Sequence, residues 1–159
     1  MKKSVVSVLC LFALALALPS LAADAVAKKS AGWLDNFEQA KKESAQFKQP
    51  IFALFTGSDW CGWCIKLESE ALGTQAFKDY ASKNLILFKA DFPARRKLPA
   101  EVRRANKALA RQYNVRGFPT VLILDKEGKK LAETGYRSGG GQVYVNHIKE
   151  LTKTPVAGK

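Results

Sequence analysis

The spacing of hydrophobic residues changes along the chain, and the order of these changes predicts the fold. Apolar and small residues recur at helical spacing from Trp33 to Phe47, which predicts an amphipathic helix that stops before Pro50. The next stretch, IFALFT at 51–56, is an unbroken apolar run. A buried strand fits it better than a helix, because only six residues precede Gly57.

The remainder of the chain continues this alternation. The further predicted elements are a helix over 61–72, a short helical piece over 75–83, a strand over 85–92, a helix over 99–113, strands over 120–125 and 130–136, and a helix over 142–153. The turn KEGK between the last two strands indicates a hairpin. Strands joined through helices are expected to be parallel, with the hairpin adding an antiparallel edge strand. We therefore predict an α/β domain with a four-stranded mixed sheet, helices on both faces and an extra N-terminal helix.

The first residues have the layout of a secretory signal peptide. Lys2 and Lys3 precede an apolar run over 5–18, Pro19 breaks it, and small residues follow at 20–23. The run is short for a membrane span, and an uncleaved N-terminal anchor is the alternative. The expected segments are a cleaved signal peptide at 1–23, a flexible lead-in at 24–32, a single domain at 33–154 and a tail at 155–159. The mature protein should be periplasmic or secreted.

Composition suits one globular domain, and the cysteine count limits its chemistry. The 159 residues are 47% hydrophobic and 25% charged, with a formal net charge of +12. Signal cleavage would remove Cys10 and leave Cys61 and Cys64 as the cysteines of the mature chain. An exported protein meets an oxidising compartment, where disulfides persist unless they are actively reduced.

Three interpretations of the Cys61–Cys64 pair follow. Structural zinc needs four Cys or His ligands and catalytic zinc three protein ligands, yet beyond Cys61 and Cys64 the expected mature chain offers only His147 as a Cys or His ligand, in a distant predicted helix. A purely structural disulfide that closes such a short loop gains only about 2 kcal/mol, against about 3 for a fifteen-residue loop. A redox pair is favoured, because Cys61 falls at a strand-to-helix junction, where unpaired N–H groups and the helix dipole favour the thiolate.

Neighbouring residues extend the redox hypothesis. Cys61 would be the nucleophile, and Cys64, one turn on and facing inward, the resolving thiol. Gly62 permits close approach of a partner chain, and Trp63 should be exposed to receive substrate. Trp60 could belong to the same hydrophobic collar or could simply pack the motif. Acids beside the motif, such as Asp59, are interpreted as ordinary solvated residues.

Two motifs, WCGWC at 60–64 and VRGFPTVLILDKEGK at 115–129, together with the element order, resemble the thioredoxin-like family over roughly residues 35–153. The resemblance is to exported, periplasmic bacterial thiol:disulfide oxidoreductases with a CGWC motif. It implies a redox-active disulfide that works without a cofactor or metal, through a mixed disulfide on Cys61. It also implies a cis bond before Pro119 and docking of a substrate segment along the backbone of Phe118.

The chain departs from the family pattern in two places. Many thioredoxins carry a buried acid six positions before the first cysteine, and Phe55 occupies that position here, so a proton relay is absent or supplied by another group. Gly62-Trp63 replaces the Gly-Pro of thioredoxin itself. The sequence therefore leaves reductant, oxidant and isomerase activity open.

A basic excess marks the second half of the chain. It comprises Arg95, Arg96, Lys97, Arg103, Arg104, Lys107 and Arg111. A solvated face explains it, and weak attraction to anionic membrane surfaces or acidic partners is the alternative, whereas nucleic acid is not expected. The expected partners are protein thiols or disulfides and a membrane or periplasmic redox protein, with the chain itself monomeric. A competing hypothesis is a non-catalytic interaction module with a static disulfide.

Overall fold

The computed structural model describes residues 28–153. The expected signal peptide, the start of the lead-in and the tail lie outside the described residues. The elements are α1 (Phe37–Phe47), β1 (Ile51–Thr56), α2 (Gly62–Leu67), a π-helical turn (Glu68–Leu72), α3 (Gln75–Asn84), β2 (Ile86–Asp91), α4 (Ala100–Gln112), β3 (Thr120–Leu124), β4 (Lys130–Thr134) and α5 (Gly140–Lys153). Within this part of the chain, no helix has the length and apolar character needed to cross a membrane.

The four strands form one mixed sheet in the order β2-β1-β3-β4. β1 runs parallel to β2, β3 runs antiparallel to β1, and β4 runs antiparallel to β3. The prediction of a four-stranded mixed sheet with helices on both faces and an N-terminal helix is confirmed. The fold is the thioredoxin fold.

The expectation that all helix-connected strands are parallel is wrong for β3. Phe92, just after β2, stacks on Phe118, just before β3, with ring centroids 4.9 Å apart. The loop after β2, together with α4, therefore returns the chain to the end of the sheet at which β2 finishes. β3 starts at that end and runs back. β1 finishes at the same end of the sheet, and this brings the segment before Thr120 beside the residues that follow Thr56.

Both faces of the sheet are covered. Every residue of β1 is buried, as the unbroken apolar run predicts. Phe52 and Leu54 pack in a cluster with residues of α2, α3 and α5. Ile51, Ala53 and Phe55 alternate onto the opposite face, against residues of α1 and α4. Burial of each large apolar side chain contributes about 1.5–3 kcal/mol, so this central strand anchors the domain.

The N-terminal helix is shorter than its apolar spacing suggests. Asn36 caps α1, since its side chain accepts a 3.0 Å hydrogen bond from the backbone N–H of Gln39. Trp33 lies outside the helix and packs edge-on against Phe52, with ring centroids 5.9 Å apart. Ahead of it, the Lys29 ammonium donates to the carbonyl oxygen of Ser82 at 2.8 Å. The described end of the lead-in is thus bonded to the domain.

Candidate active site

The two cysteines lie at the start of α2, directly after the loop that follows β1. Their Sγ atoms are joined in a disulfide and their Cα atoms are 5.2 Å apart. Cys61 is the N-cap residue, in an extended conformation, and its Sγ accepts a hydrogen bond from the backbone N–H of Cys64 at 3.3 Å. Exposure is only 7% for Cys61 and 4% for Cys64. The helix therefore directs an N–H group at the first sulfur, as the sequence predicts.

Trp60 is fixed in place although 52% of it is exposed. Its Nε1 donates to the carbonyl oxygen of Phe92 at 2.8 Å, and its ring meets that of Phe118 edge-on at 6.1 Å. The indole also lies over Gly57, where an added Cβ would come within 2.5 Å of it. Trp60 thus packs against the motif and also presents a face to solvent. The structure is therefore compatible with both roles considered for it, packing of the motif and a place in the hydrophobic collar.

Trp63 is the most exposed large hydrophobic side chain of residues 28–153, at 60%. It rests on Tyr136, with ring centroids 5.3 Å apart, and the Lys66 ammonium lies 5.3 Å from both ring centroids. Glu70 accepts a hydrogen bond from the Tyr136 hydroxyl, which raises the pKa of Tyr136, with burial as a smaller cause. We call Trp63, Lys66, Glu70 and Tyr136 the Trp63 cluster.

Sequence reasoning missed Tyr136, and the hairpin explains its position. Val121 pairs with Thr134 across the two strands, so the residues after β4 lie beside those before β3. A Cβ added at Gly135 would lie 3.1 Å from the carbonyl oxygen of Pro119. Tyr136 is therefore brought next to the cysteine site by the register of the β3–β4 hairpin.

Phe118 and Pro119 precede β3 on the other side of the cysteine loop. The peptide bond between them is cis. The Phe118 ring is partly buried between Phe92 and Trp60. Its backbone N–H and C=O make no backbone hydrogen bond with another residue of 28–153. An extended segment could therefore pair with this part of the chain.

Phe55, which stands where many thioredoxins carry a buried acid, does not lie beside the cysteines. Phe55 faces away from the cysteine helix and meets Tyr113 edge-on at 6.3 Å, because it belongs to the α1 and α4 side of the sheet. Leu54 packs with Leu67 of α2, so Leu54 and Thr56 face the cysteine side. A count from the first cysteine gives a position along the chain but not the sheet face, because side chains alternate between the two faces of a strand. Neither residue is an acid, so β1 offers no carboxylate on this face.

A cavity of about 390 Å³ lies beside Cys64. Thr56, Glu68 and Lys89 are among the residues that line it, and the Lys89 ammonium is 4.0 Å from a Glu68 carboxylate oxygen. Ionisable groups thus line the cavity beside the second cysteine from the π-helical turn and from β2.

Two carboxylates tie the cysteine loop to the segment after β2. The Asp59 carboxylate accepts backbone N–H bonds from Ala94 and Arg95, each at 2.8 Å, and from Arg96 at 3.3 Å. These bonds, that of Ala94 first, lower the pKa of Asp59. The buried Asp91 carboxylate accepts from the N–H and hydroxyl of Ser58 and from Arg96. The interpretation of Asp59 as an ordinary solvated acid is therefore wrong.

His147 belongs to α5, and its side chain reaches Thr134 of β4. A ring nitrogen is 2.8 Å from the Thr134 hydroxyl oxygen, and the ring meets Tyr144 edge-on. Burial first, and the charge of Arg137 second, lower the pKa of His147. Among residues 28–153, no three His, Cys, Asp or Glu side chains group together as ligands for a metal would.

A disulfide-bonded CxxC at a helix start, beside an X-Pro segment on a thioredoxin fold, defines a class of thiol–disulfide oxidoreductase. A family model described as a thioredoxin-like domain matches residues 37–140. The chain belongs to the thioredoxin-like family.

Particular relatives narrow the class. The chain is 41% identical over 119 residues to the disulfide bond reductase DsbH of Chlamydia pneumoniae, which covers 75% of this chain and 72% of that protein. The thioredoxin-related protein DsbJ of the same organism is 26% identical over 129 residues, covering 80% of this chain and 37% of DsbJ. A solved structure of a DsbH oxidoreductase is 40% identical, with a TM-score of 0.74, covering 81% of this chain and 89% of that one. The chain is thus a thioredoxin-like oxidoreductase with a CxxC pair, of the DsbH and DsbJ type.

Proposed function

We propose that the protein reduces disulfides of other proteins in the periplasm, through a mixed disulfide on Cys61. The observation that carries the proposal is the Cys61–Cys64 disulfide at the N-terminus of α2, with the Cys64 N–H directed at the Cys61 sulfur. The same hydrogen bond would stabilise a thiolate on Cys61 once the pair is reduced. Similarity to a disulfide bond reductase favours this direction of electron flow.

The reaction uses the reduced dithiol and consumes it. The Cys61 thiolate attacks one sulfur of the substrate disulfide, an S–S bond forms to the protein, and the first substrate sulfur leaves as a thiolate that takes a proton. The Cys64 thiol loses its proton and attacks the Cys61 sulfur, which releases the second substrate thiolate. Two electrons pass to the substrate, and the Cys61–Cys64 disulfide results. A membrane or periplasmic redox partner with a lower-potential dithiol must then restore the reduced pair.

Residues around the disulfide would hold the substrate. The backbone of Phe118, ahead of Pro119, is open to an extended segment, as described above. An added Cβ at Gly62 would meet no heavy atom within 4 Å, so the backbone is freely approached there. Trp60 and Trp63, which each precede a cysteine, expose aromatic surface, and aromatic side chains commonly anchor protein contacts. We assign these five residues to substrate binding and the two cysteines to catalysis.

Location and assembly complete the proposal. The basic start, apolar run and small residues of 1–23 support export and cleavage, with one domain over 33–154. Export would supply substrates, because protein disulfides form outside the cytosol. We propose that the mature protein acts as a monomer, attracted at most weakly to anionic surfaces.

Trapping the mixed disulfide tests the proposed function. In Cys64→Ser, Cys61 can still attack a substrate disulfide, but the mixed disulfide is not resolved because the second thiol is missing. The reduced variant should therefore form a covalent, dithiothreitol-sensitive adduct with a disulfide-bonded protein substrate. Cys61→Ser is the matched control and should trap nothing. If both variants are folded but form no adducts, the hypothesis of an enzyme is rejected in favour of an interaction module with a static disulfide.

A further inference from the structure

A basic pocket lies between the loop after β2 and α4. Its volume is about 350 Å³. Residues that line it include Asp91, Phe92, Arg96, Lys97, Arg103 and Lys107. Arg103 and Lys107 stand one turn apart on α4, so their side chains emerge on the same side of the helix. We call this site the basic pocket.

The charges of the basic pocket are only partly balanced from within. Arg96 pairs with Asp91, the acid among the lining residues. Lys97, Arg103 and Lys107 have no carboxylate within 4.0 Å among residues 28–153. Three cations therefore face one concave space without a partner. Such a space concentrates positive potential and attracts an anionic group.

The walls of the basic pocket are bonded to the rest of the domain. The carboxylate of Asp91 is held by Ser58 from the cysteine loop, as described above. On the helix side, the buried Asn106 donates from Nδ2 to the carbonyl oxygen of Asp91 at 2.9 Å. The loop itself is held by the Asp59 carboxylate through three backbone N–H groups. An arriving ligand would thus meet a largely preformed site.

The basic pocket is continuous with the proposed substrate surface. Phe92 lines it, and the same residue stacks on Phe118 and accepts the Trp60 hydrogen bond. Trp60 is the neighbour of Cys61 in sequence. A substrate segment that reaches from the Cys61 sulfur past Trp60 would therefore arrive at Phe92 and the unpaired cations.

We propose that the basic pocket binds a carboxylate side chain of the protein substrate, from an acidic segment that flanks its disulfide. The inference rests on the proposed function, because it defines which substrates that function prefers. A protein segment is favoured over a free anion because the pocket adjoins the aromatic surface next to Cys61. Charge at such a site acts mainly on the rate of association and weakens with salt.

Matched peptides test this preference. Two peptides share one intramolecular disulfide, flanked in one by Asp and Glu and in the other by Asn and Gln. The mature protein is reduced beforehand, and its oxidation by each peptide is followed by Trp fluorescence in a single turnover at low salt. We expect the acidic peptide to react roughly tenfold faster, within the range that electrostatic steering provides, and this advantage to shrink at high salt.

Paired charge removals on α4 separate the pocket from general charge. Arg103→Gln with Lys107→Gln removes two pocket cations, whereas Arg104→Gln with Arg111→Gln removes two exposed cations that do not line the pocket. The first variant should lose the preference for the acidic peptide and keep its rate with the neutral one. The second should retain most of the preference. Thermal unfolding of both variants checks that each is folded.

Each contrary outcome has a distinct meaning. If the wild-type protein reacts equally fast with both peptides, the proposed binding of acidic segments is refuted and the proposed reductase activity stands. If it reduces neither peptide, the proposed reductase activity is refuted. Equal loss of preference in both variants would show that diffuse surface charge, and not the pocket, attracts the acidic peptide. Inorganic phosphate and anionic phospholipid vesicles serve as further probes. If either binds through Arg103 and Lys107 while the peptides react alike, the site serves a free anion or a membrane and the inference fails.

Discussion

The indole Nε1 of Trp60 lies 2.8 Å from the carbonyl oxygen of Phe92, and this hydrogen bond fastens the residue before Cys61 to the loop after β2. Trp60→Phe keeps an aromatic ring opposite Phe118 but removes the donor. Because a net hydrogen bond contributes about 0.5–1.5 kcal/mol, we expect the free energy of unfolding to fall by about 1 kcal/mol. Urea unfolding at equilibrium measures this.

Trp63→Phe is the control for this change. The Trp63 indole makes no hydrogen bond with residues 28–153, although its ring, like that of Trp60, contacts another aromatic ring. Its replacement should leave the free energy of unfolding nearly unchanged. A similar loss in both variants would show that the Trp60 hydrogen bond contributes nothing specific.

The sequence predicts the scaffold well because the scaffold follows local patterns. The unbroken run at 51–56 has to be buried on both sides, and the structure buries it completely. Cys61 falls between a strand and a helix, so its place at the helix N-terminus follows from the chain order alone. The turn at 126–129 fixes the hairpin that carries β3 and β4.

The sequence fails where a feature depends on contacts between distant segments. The direction of β3 depends on how the loop after β2 and α4 cross the sheet, which no local period records. Asp59 looks like a solvated acid until the backbone at Ala94 is brought to it. Tyr136 reaches Trp63 only through the register of the hairpin. The face on which Phe55 lies depends on its packing against α1 and α4, which a count along the chain does not record.

Close packing of α5 on the residue before α3 predicts an intolerance at Gly141. An added Cβ there would lie 1.9 Å from the Thr74 Oγ1 and 2.8 Å from its Cβ. Gly141→Ala should therefore lower the free energy of unfolding by about 1–3 kcal/mol, the usual effect of overpacking, despite the better helix propensity of Ala. Chemical denaturation measures the change.

Gly62→Ala provides the comparison for Gly141→Ala. It also introduces a methyl group near the start of a helix, but nothing lies within 4 Å of that position. We expect its stability to match or slightly exceed that of the wild-type protein. Equal destabilisation by the two substitutions would refute the packing explanation.

The exposure of Trp63 predicts a role in substrate binding without a role in folding. Trp63→Ala removes an aromatic surface next to the cysteines, worth about 1–1.5 kcal/mol if it contacts the substrate, so kcat/KM for a protein disulfide should fall about tenfold. The melting temperature should hardly change. Val143 is also an exposed hydrophobic residue but lies on α5, and Val143→Ala should preserve kcat/KM. Unchanged kinetics for Trp63→Ala would remove this residue from the binding surface.

The environment of His147 predicts a pH dependence of stability. Burial, and secondarily Arg137, lower its pKa below the 6.5 of an unperturbed histidine, so the unfolded state binds the proton more readily. Stability from this group is complete above the unfolded pKa and declines as the pH falls through 6.5 towards the folded pKa. Unfolding free energies measured from pH 8 to pH 5 should show this decline.

His147→Gln isolates the contribution of this residue. The variant should lose the decline just below pH 6.5. When the measurement is extended below the 3.8 of an unperturbed aspartate, the variant should keep the loss that accompanies protonation of Asp59, whose pKa is lowered. Parallel curves for the variant and the wild-type protein would show that His147 does not control stability in this range.

The proposed direction of electron flow predicts the reduction potential of the Cys61–Cys64 pair. A reductase must hold its disulfide more stably than its substrates hold theirs, so the potential should lie near the roughly −270 mV of thioredoxin and far from the roughly −120 mV of the oxidant DsbA. Equilibration in defined thiol buffers, followed by Trp fluorescence, measures it, because Trp60 and Trp63 each directly precede a cysteine of the disulfide. Cys61→Ser, which cannot form the disulfide, should show no redox-dependent signal. A potential near the oxidising end would keep the protein in the same family but reverse its role, from a donor of electrons to a donor of disulfides.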